Sequence, residues 1–200
     1  MDTIWQSQTT YIWIALIAAA IIWLIIRVSR RVPHWLREVI LYLNMKPVEI
    51  SEATVNYSQF LSKWEGIKWN FAYTGREKGQ EITMGNFSVD DRYFYYFAYK
   101  TTVKPMIMTD TDDKFDSPIT ETLRHEGKQY HLFSKENFLT EKIKQTPEFL
   151  INLADIFPGR HNWLEFTDLN QVILVTDYDF DDHAKMLKLI ADFVQIKEKL

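Results

Sequence analysis

The run YFYYFAY at residues 93–99 constrains the fold more than any other stretch of this 200-residue sequence. Successive side chains of a β-strand point to opposite faces of its sheet. The odd positions of the run therefore place three tyrosines and Phe97 on one face, and the even positions place Phe94, Tyr96 and Ala98 on the other. A strand that is apolar on both faces needs cover on both. We expect residues 93–99 to form a central strand of a sheet.

Patterns on either side of this run predict neighbouring strands. Before it, apolar and polar residues alternate over residues 67–73 and again over 82–84, with the turn-forming residues REKG at 76–79 between them. This is the pattern of a β-hairpin. After it, residues 106–117 look like a polar, acidic loop. Three further strands are expected, at residues 129–133, 162–166 and 171–176.

Helix signals fall between and after these strands. Thr146-Pro147-Glu148 is a typical helix start, and Asp181 or Asp182 could cap a final helix. The final helix would bury an apolar face made of Met186, Leu187, Ile190, Phe193 and Val194. Strands grouped before and after helices, without strict βαβ alternation, predict an α+β domain. Its sheet should be mainly antiparallel, and it should end in an amphipathic C-terminal helix.

The N-terminal part of the chain has a different composition. Residues 11–26 read YIWIALIAAAIIWLII and contain no charged side chain. A helix from Trp5 to Arg27 would be roughly 33 Å long at about 1.5 Å per residue, enough to cross a hydrocarbon core of about 30 Å. We therefore predict a single N-terminal transmembrane helix. The expected order is a short extracytoplasmic N terminus (1–10), the transmembrane helix (11–28), a basic juxtamembrane amphipathic helix (29–46) and a cytosolic α+β domain (47–200).

The arrangement of charges predicts how this helix would be oriented. Arg27, Arg30 and Arg31 follow the apolar run, and no basic residue precedes it. The positive-inside rule then puts the N terminus outside and the C-terminal domain in the cytoplasm of a single-pass inner-membrane protein. Trp13 and Trp23 would lie near the two membrane interfaces. The lipid bilayer is accordingly an expected partner, with these five residues as its anchor.

Composition excludes several classes of function. The chain has no cysteine, so disulfides, thiolate nucleophiles and Cys-ligated metals are ruled out. Its formal charge is −4, and because residues 1–34 hold three Arg and one Asp, residues 35–200 carry 20 basic and 26 acidic side chains, a charge of −6. Such a domain lacks the basic surface of a nucleic-acid binder. No phosphate-binding glycine loop or other cofactor motif is present, so we expect no cofactor.

The acidic loop contains one candidate metal site. In the twelve residues from Asp110 to Glu121, acids occupy positions 1, 3, 7 and 12, which are Asp110, Asp112, Asp116 and Glu121. This is the frame of a calcium-binding EF-hand loop. The sixth position, however, must be a glycine that makes a sharp turn, and here it is Phe115. A solvated acidic loop that contacts a partner is the alternative interpretation.

The segment DYDFDDH at residues 177–183 is the sharpest catalytic candidate. If residues 177–181 are extended, Asp177, Asp179 and Asp181 share one face, close enough to hold Mg²⁺ or Mn²⁺, with His183 as a base or further ligand. Metal-dependent phosphoesterases and nucleases use such groups. The alternative is structural, because aspartates before a helix commonly cap it and interact with its dipole.

No motif identifies a family, and no complete catalytic constellation is present. The sequence therefore favours a non-enzymatic role, in which a membrane-anchored cytosolic domain binds a protein partner or a second copy of itself as an accessory subunit of a membrane complex. One alternative is a membrane-tethered metal-dependent phosphoesterase or nuclease that uses residues 177–183. A second alternative is a small-ligand sensor with a pocket beneath the aromatic strand.

Overall fold

The aromatic run lies in the fourth of nine strands in a computed structural model, which describes residues 13, 16–19, 21, 33–50, 58–115 and 117–199. The strands are β1 (Lys46–Pro47), β2 (Lys68–Glu77), β3 (Gln80–Val89), β4 (Arg92–Lys100), β5 (Met106–Thr109), β6 (Ile119–His125), β7 (Lys128–Ser134), β8 (Asn162–Phe166) and β9 (Gln171–Thr176). The helices are α1 (His34–Tyr42), α2 (Asn137–Lys144), α3 (Pro147–Ile156) and α4 (His183–Gln195), with 3₁₀ turns at Leu61–Lys63 and Ile196–Lys199.

All nine strands form one sheet, in the order β1-β2-β3-β4-β9-β8-β5-β7-β6. Each neighbouring pair is antiparallel. β4 pairs with β3 on one side and β9 on the other, so the expected central position of the aromatic run is confirmed. The chain divides into two compact units, Met1–Arg37 and Glu38–Leu200, and the sheet belongs to the second.

Tight turns fix the register of three hairpins. Lys78-Gly79 joins β2 to β3, Asp90-Asp91 joins β3 to β4, and Glu126-Gly127 joins β6 to β7, and all six residues have positive φ. Positive φ at both central residues defines the type I′ turn, whose twist matches that of the flanking strands. The register of each hairpin therefore follows from its two turn residues.

One face of the sheet is covered by the helices. The side chain of Phe193 in α4 contacts Tyr99 of β4 edge-on, with ring centroids 4.9 Å apart. Five α4 residues are buried, namely Met186, Leu189, Ile190, Phe193 and Val194. Helix α3 packs beside α4 and buries Phe149, Leu153 and Ile156. The predicted amphipathic C-terminal helix is thus present, with Leu189 taking the buried position expected for Leu187.

The opposite face is covered by the 3₁₀ turn and its flanking residues, Ser58–Trp64. The ring of Phe60 stacks on Trp163 of β8 at 4.4 Å, and Trp64 lies 4.6 Å from Phe94 of β4. These rings belong to a buried cluster that also includes Phe87, Tyr96, Ile107, Phe115, Phe133, Ile173 and Val175. Both faces of β4 are therefore covered, as its sequence requires.

A buried carboxylate fastens this cover to the sheet. Glu165 of β8 is 3% exposed and lies on the same face of the sheet as the aromatic cluster. Its oxygens accept hydrogen bonds from Ser58 Oγ (2.5 Å), Gln59 N (2.8 Å) and Phe60 N (3.4 Å). Ser58 Oγ in turn accepts a bond from the N–H of Leu61 at 3.0 Å. One carboxylate thus satisfies the buried donors at the start of the turn.

The predicted N-terminal transmembrane helix is wrong, because no helix among the described residues is long and apolar enough to cross a membrane. The predicted single-pass inner-membrane location is overturned with it. The anchor residues Trp23, Arg27, Arg30 and Arg31 lie outside the described residues.

Strands β5 and β6 differ from the expectations drawn from the sequence. The expected antiparallel sheet with helices is present, but residues 106–117 are not all loop, because Met106–Thr109 is the buried strand β5. Strand β6 was not expected at all from the sequence. The predicted amphipathic segment 29–46 contains the helix His34–Tyr42, in which Val39 is fully buried.

We expect Glu165→Ala to lower the free energy of unfolding by about 2–4 kcal/mol, because it leaves the buried donors of Ser58 and Phe60 and the part-buried N–H of Gln59 without an acceptor. Urea unfolding at pH 7 measures this loss. The matched control is Glu81→Ala on the exposed side of β3, which should change stability by less than about 0.5 kcal/mol. Equal effects of the two substitutions would contradict this role for Glu165.

The same carboxylate should make stability depend on pH. Burial raises the pKa of Glu165, although the bonds from Ser58, Gln59 and Phe60 lower it in part. The folded state then holds the proton more tightly than the unfolded state. The resulting stabilisation is complete below the ordinary pKa of 4.5 and is lost as the pH rises through the folded-state pKa. Glu165→Gln removes this titration, so the stability of the wild type relative to the variant should fall as the pH rises above the ordinary pKa of 4.5. A constant difference across urea titrations would contradict it.

Candidate functional site: a tyrosine-lined pocket at the end of strands β4 and β9

Residues from both acidic segments meet at one end of the sheet. Asp110 follows β5, Asn162 begins β8 and Asp177 follows β9. The order β9-β8-β5 makes these three strands adjacent, so the residues at their ends come together. We call Asp110, His161, Asn162 and Asp177 the strand-end cluster.

Asn162 lies at the centre of the strand-end cluster and is fully buried. Its backbone N–H donates to Asp110 Oδ1 at 2.8 Å, and its Nδ2 donates to Asp110 Oδ2 at 2.5 Å. The side chain of Asn162 also makes two hydrogen bonds with the backbone of Gly159. Its Nδ2 donates to the Gly159 carbonyl, and its Oδ1 accepts from the Gly159 N–H. Burial raises the pKa of Asp110, and the bonds from Asn162 oppose that rise. The pair therefore holds a half-buried carboxylate in place.

Asp177 holds the turn that precedes β8. Its Oδ1 accepts hydrogen bonds from the N–H groups of Arg160 (2.8 Å) and His161 (3.0 Å), and its Oδ2 lies 2.6 Å from Nδ1 of His161. Gly159 is needed here because a Cβ at this position would collide with Asp177 Oδ1 and Thr176 Oγ1. The first carboxylate of the catalytic candidate is thus engaged in holding a turn.

The remaining members of the catalytic candidate have separate partners. Asp181 Oδ1 accepts from Lys185 Nζ at 2.8 Å, one helical turn away. Asp182 caps α4 by accepting the N–H of Ala184 at 2.9 Å. His183 Nδ1 lies 2.7 Å from Glu38 Oε2. The structure therefore does not bring Asp177, Asp181 and His183 to a common centre, and across residues 33–50, 58–115 and 117–199 no group of three or more His, Asp or Glu is arranged to hold a metal ion.

The members of the EF-hand window are also dispersed. Asp112 Oδ1 is 3.9 Å from Nε2 of His131, and Glu121 Oε1 is 3.1 Å from Nζ of Lys144 on α2. Asp110 belongs to the strand-end cluster, and Asp116 lies outside the described residues. The sixth position, Phe115, is buried against Phe133 at 5.1 Å instead of making a sharp turn.

Asp179 has a different environment, because it lines a pocket beside the strand-end cluster. The pocket has a volume of about 360 Å³. It is lined by Asn86 of β3, Tyr93 and Tyr95 of β4, and Asp177, Tyr178 and Asp179 after β9. We call it the tyrosine pocket. Tyr93 is 65% exposed at its rim, which is unusual for a large aromatic side chain on a central strand.

The walls of the tyrosine pocket are held in position by one buried ring. Phe180 is 3% exposed and meets Tyr95 edge-on at 5.0 Å and Tyr178 edge-on at 4.8 Å. Asn86 supports the floor, since its Nδ2 donates to the carbonyl of Phe94 at 3.0 Å and its Oδ1 accepts from Asn70 at 2.7 Å. The pocket is therefore largely preformed.

The electrostatics of the tyrosine pocket favour a positive charge. Burial and the negative charge of Asp179 raise the pKa of Tyr95 to about 12, so its hydroxyl stays protonated at neutral pH. Of the described residues that line the pocket, none is Lys or Arg, and two are aspartates. Aromatic faces and carboxylates both attract ammonium and guanidinium groups. The arrangement can thus bind a cationic side chain or a small cation.

The sequence points to Asp177 and Asp179 as candidate site residues. It also suggests a pocket beneath the aromatic strand as part of the sensor alternative, but it does not assign Tyr93 or Tyr95 to that pocket or connect them with the aspartates. The link depends on the register in which Tyr95 pairs with Thr176, which places the residues after β9 next to the start of β4. No local pattern in the sequence carries that register.

Comparisons with known proteins bear on the fold alone. No protein-family model and no curated protein matches the sequence. A solved structure with a similar fold is that of the mycobacterial trehalose monomycolate transport factor A, TtfA, with a TM-score of 0.50 and 9% sequence identity. The match covers 82% of this chain and 93% of the other.

We expect Asn162→Ala to lower the free energy of unfolding by about 2–3 kcal/mol at pH 7.5, because Asp110 loses a donor while it stays partly buried. The pKa of Asp110 should then rise further, so the loss should be smaller at pH 4.5, where the carboxyl is more often protonated. Urea unfolding at the two pH values tests this. Asn152→Ala on the exposed side of α3 is the control, and a loss for Asn162→Ala that is equal at both pH values would contradict the interpretation.

Proposed function

We propose that the Glu38–Leu200 unit is a protein-binding module that captures a basic side chain of a partner protein in the tyrosine pocket. The observation that carries this proposal is the composition of the pocket, which has three tyrosines and two aspartates around a preformed cavity. In this role the chain would be an accessory subunit of a larger assembly, and its own residues would perform no chemical step.

The energetics of such a pocket suit an anchoring contact. A cation over an aromatic ring contributes about 0.5–1 kcal/mol at an exposed site and about 2 kcal/mol when desolvated. An exposed ion pair with Asp179 adds about 0–1 kcal/mol. Arginine, tyrosine and tryptophan are enriched among the few residues that dominate binding energy at protein interfaces. One arginine in this pocket would therefore be a substantial part of a modest interface.

The charge of the domain supports the same kind of partner. Residues 35–200 carry a formal charge of −6, so a basic surface on the partner would be attracted over a longer range than the pocket itself. Screening by salt weakens such attraction, with a Debye length of about 8 Å at physiological ionic strength. Binding should accordingly weaken as salt is added.

The similar fold is compatible with an accessory role. The solved structure that this chain resembles is named a trehalose monomycolate transport factor. The sequence identity is 9%. The likeness is compatible with the proposal that this chain is an accessory subunit of a transport assembly whose partners are proteins. The specific partner is a question for experiment.

The proposal can be tested by replacing Tyr93 with a photo-crosslinking amino acid in the full chain, in the cells that produce it naturally. Irradiation should link position 93 to a protein segment that contains Arg or Lys, which mass spectrometry of the linked peptide identifies. A synthetic copy of that peptide then serves as the probe in fluorescence titrations with the full chain.

The matched variants are Asp179→Asn in the pocket and Asp168→Asn in the exposed turn between β8 and β9. We expect Asp179→Asn to weaken peptide binding about two- to fivefold, which corresponds to about 0.5–1 kcal/mol, and Asp168→Asn to leave it unchanged. Replacing the basic residue of the peptide by Gln should weaken binding more than Asp179→Asn does, because it also removes the contact between the cation and the tyrosine rings. Equal binding by the two variants, or a crosslink to a segment without Arg or Lys, would overturn the proposal.

A further inference from the structure

The two edges of the sheet differ in how they are protected. The two-residue strand β1 and the residues around it cover β2 on one side of the sheet, whereas β6 ends the other side with no neighbouring strand among the described residues. β6 has seven residues, Ile119–His125, and pairs with β7 in unbroken register. Natural edge strands are blocked by charged side chains, above all lysine, by a proline, by a bulge or by a covering helix. β6 has no lysine, proline or bulge within its length, and its two charged side chains are Glu121, which is paired with Lys144 of α2, and Arg124.

The tight turn at Glu126-Gly127 determines which backbone groups of β6 face outwards. In a hairpin with a two-residue loop, the residues that flank the loop form a hydrogen-bonded pair, here His125 and Lys128. Hydrogen-bonded and non-bonded pairs then alternate along the strands. The N–H and C=O groups of Thr120, Thr122 and Arg124 therefore point away from β7, into the open edge.

At the opposite edge of the sheet, the outward backbone groups of β2 alternate in the same way, but they are hydrogen-bonded. The turn at Lys78-Gly79 makes the backbone groups of the even-numbered residues 72–76 point away from β3. Arg76 N–H donates to the carbonyl of Leu43 at 3.3 Å, and the carbonyl of Ala72 accepts from Val48 at 3.0 Å. Thr74 pairs with Lys46 of β1. The outward groups of the β2 edge are thus covered, whereas no described residue forms a strand pairing with the outward groups of β6.

We infer that β6 is an interface at which a second copy of this chain adds its own β6, antiparallel and centred on Thr122. The two sheets would join edge to edge across a twofold axis. The outward groups of Thr122 pair with those of Thr122 in the second copy, and those of Thr120 pair with those of its Arg124. Every outward N–H and C=O of both strands is satisfied in this register.

The side chains of β6 are self-complementary in the same register. Thr122 faces its own equivalent, and threonine pairs across strands are favourable. Arg124 faces Thr120 of the second copy, and Glu121 faces its Leu123, so no like charges oppose one another. A shift of two residues in one direction would set Glu121 against Glu121 of the second copy, which is unfavourable. A shift in the other direction would leave the outward groups of Thr120 beside the turn and unpaired.

This interface is separate from the tyrosine pocket, because β9, β8, β5 and β7 lie between β4 and β6. Self-association and partner capture can therefore fail independently. Asp179→Asn should leave self-association intact, and substitutions at Thr122 should leave binding of the crosslinked peptide intact. The two proposals remain distinguishable in the same preparations.

The test is co-expression of two full-length copies that carry different affinity tags. Purification through one tag should recover the other copy for the wild type. Thr122→Lys in both copies, or Thr122→Glu in both, places like charges at the twofold axis and should reduce recovery at least tenfold. One Thr122→Lys copy with one Thr122→Glu copy should restore recovery to within about twofold of the wild type, because opposite charges then face each other.

Thr102→Lys, on an exposed loop residue, is the control and should co-purify as the wild type does. Melting temperatures should confirm that every variant is folded. Wild-type copies that do not co-purify would overturn the inference. It is equally contradicted by Thr122→Lys copies that still associate, or by a Lys and Glu mixture that does not recover, since only a twofold pairing at Thr122 predicts that recovery.

Discussion

The hydrogen bonds of Glu165 hold the turn Ser58–Trp64 against the sheet, and the packing of the rest of the domain depends on this contact. Strand β4 is apolar on both faces, and one of those faces is covered by the short turn Ser58–Trp64. Such a turn has few backbone bonds of its own, so its position relies on Ser58, Gln59 and Phe60 donating to one buried carboxylate. The aromatic cluster excludes water from that carboxylate, which strengthens each bond and raises the cost of breaking it.

The position of the tyrosine pocket follows from the same central strand. Because β4 is covered on both faces, its tyrosines become accessible only where the strand begins, beside the residues that leave β9. Asp177 holds the turn before β8 and also lines the pocket, so the strand-end cluster and the pocket share a wall. Stability and recognition are therefore coupled at this end of the sheet, and Phe180 transmits the packing of the core to Tyr95 and Tyr178.

The sequence was informative where a local pattern has a single structural solution. The central strand follows from a two-sided apolar run, and β8 and β9 were predicted with the bounds that the structure has. Strand β5 was missed because Met106–Thr109 is buried at every position and shows no alternation. The prediction of a spanning helix rested on apolar length, which is necessary for such a helix but does not establish one. The sequence suggests a pocket beneath the aromatic strand, but the residues that line it could not be predicted, since they depend on the pairing of Tyr95 with Thr176.

Gly75 of β2 allows the preceding chain to pack closely against the β2 edge of the sheet. The segment from Leu43 to Met45 approaches so closely that a Cβ on Gly75 would collide with the carbonyl of Leu43 and the side chain of Met45. This tight fit keeps the β2 edge closed to foreign strands. Among the described strands β6 is then the one edge open to pairing, and pairing of two copies through it would use up that edge in both. An assembly formed in this way would stop at a closed pair, whereas two open edges would permit open-ended filaments.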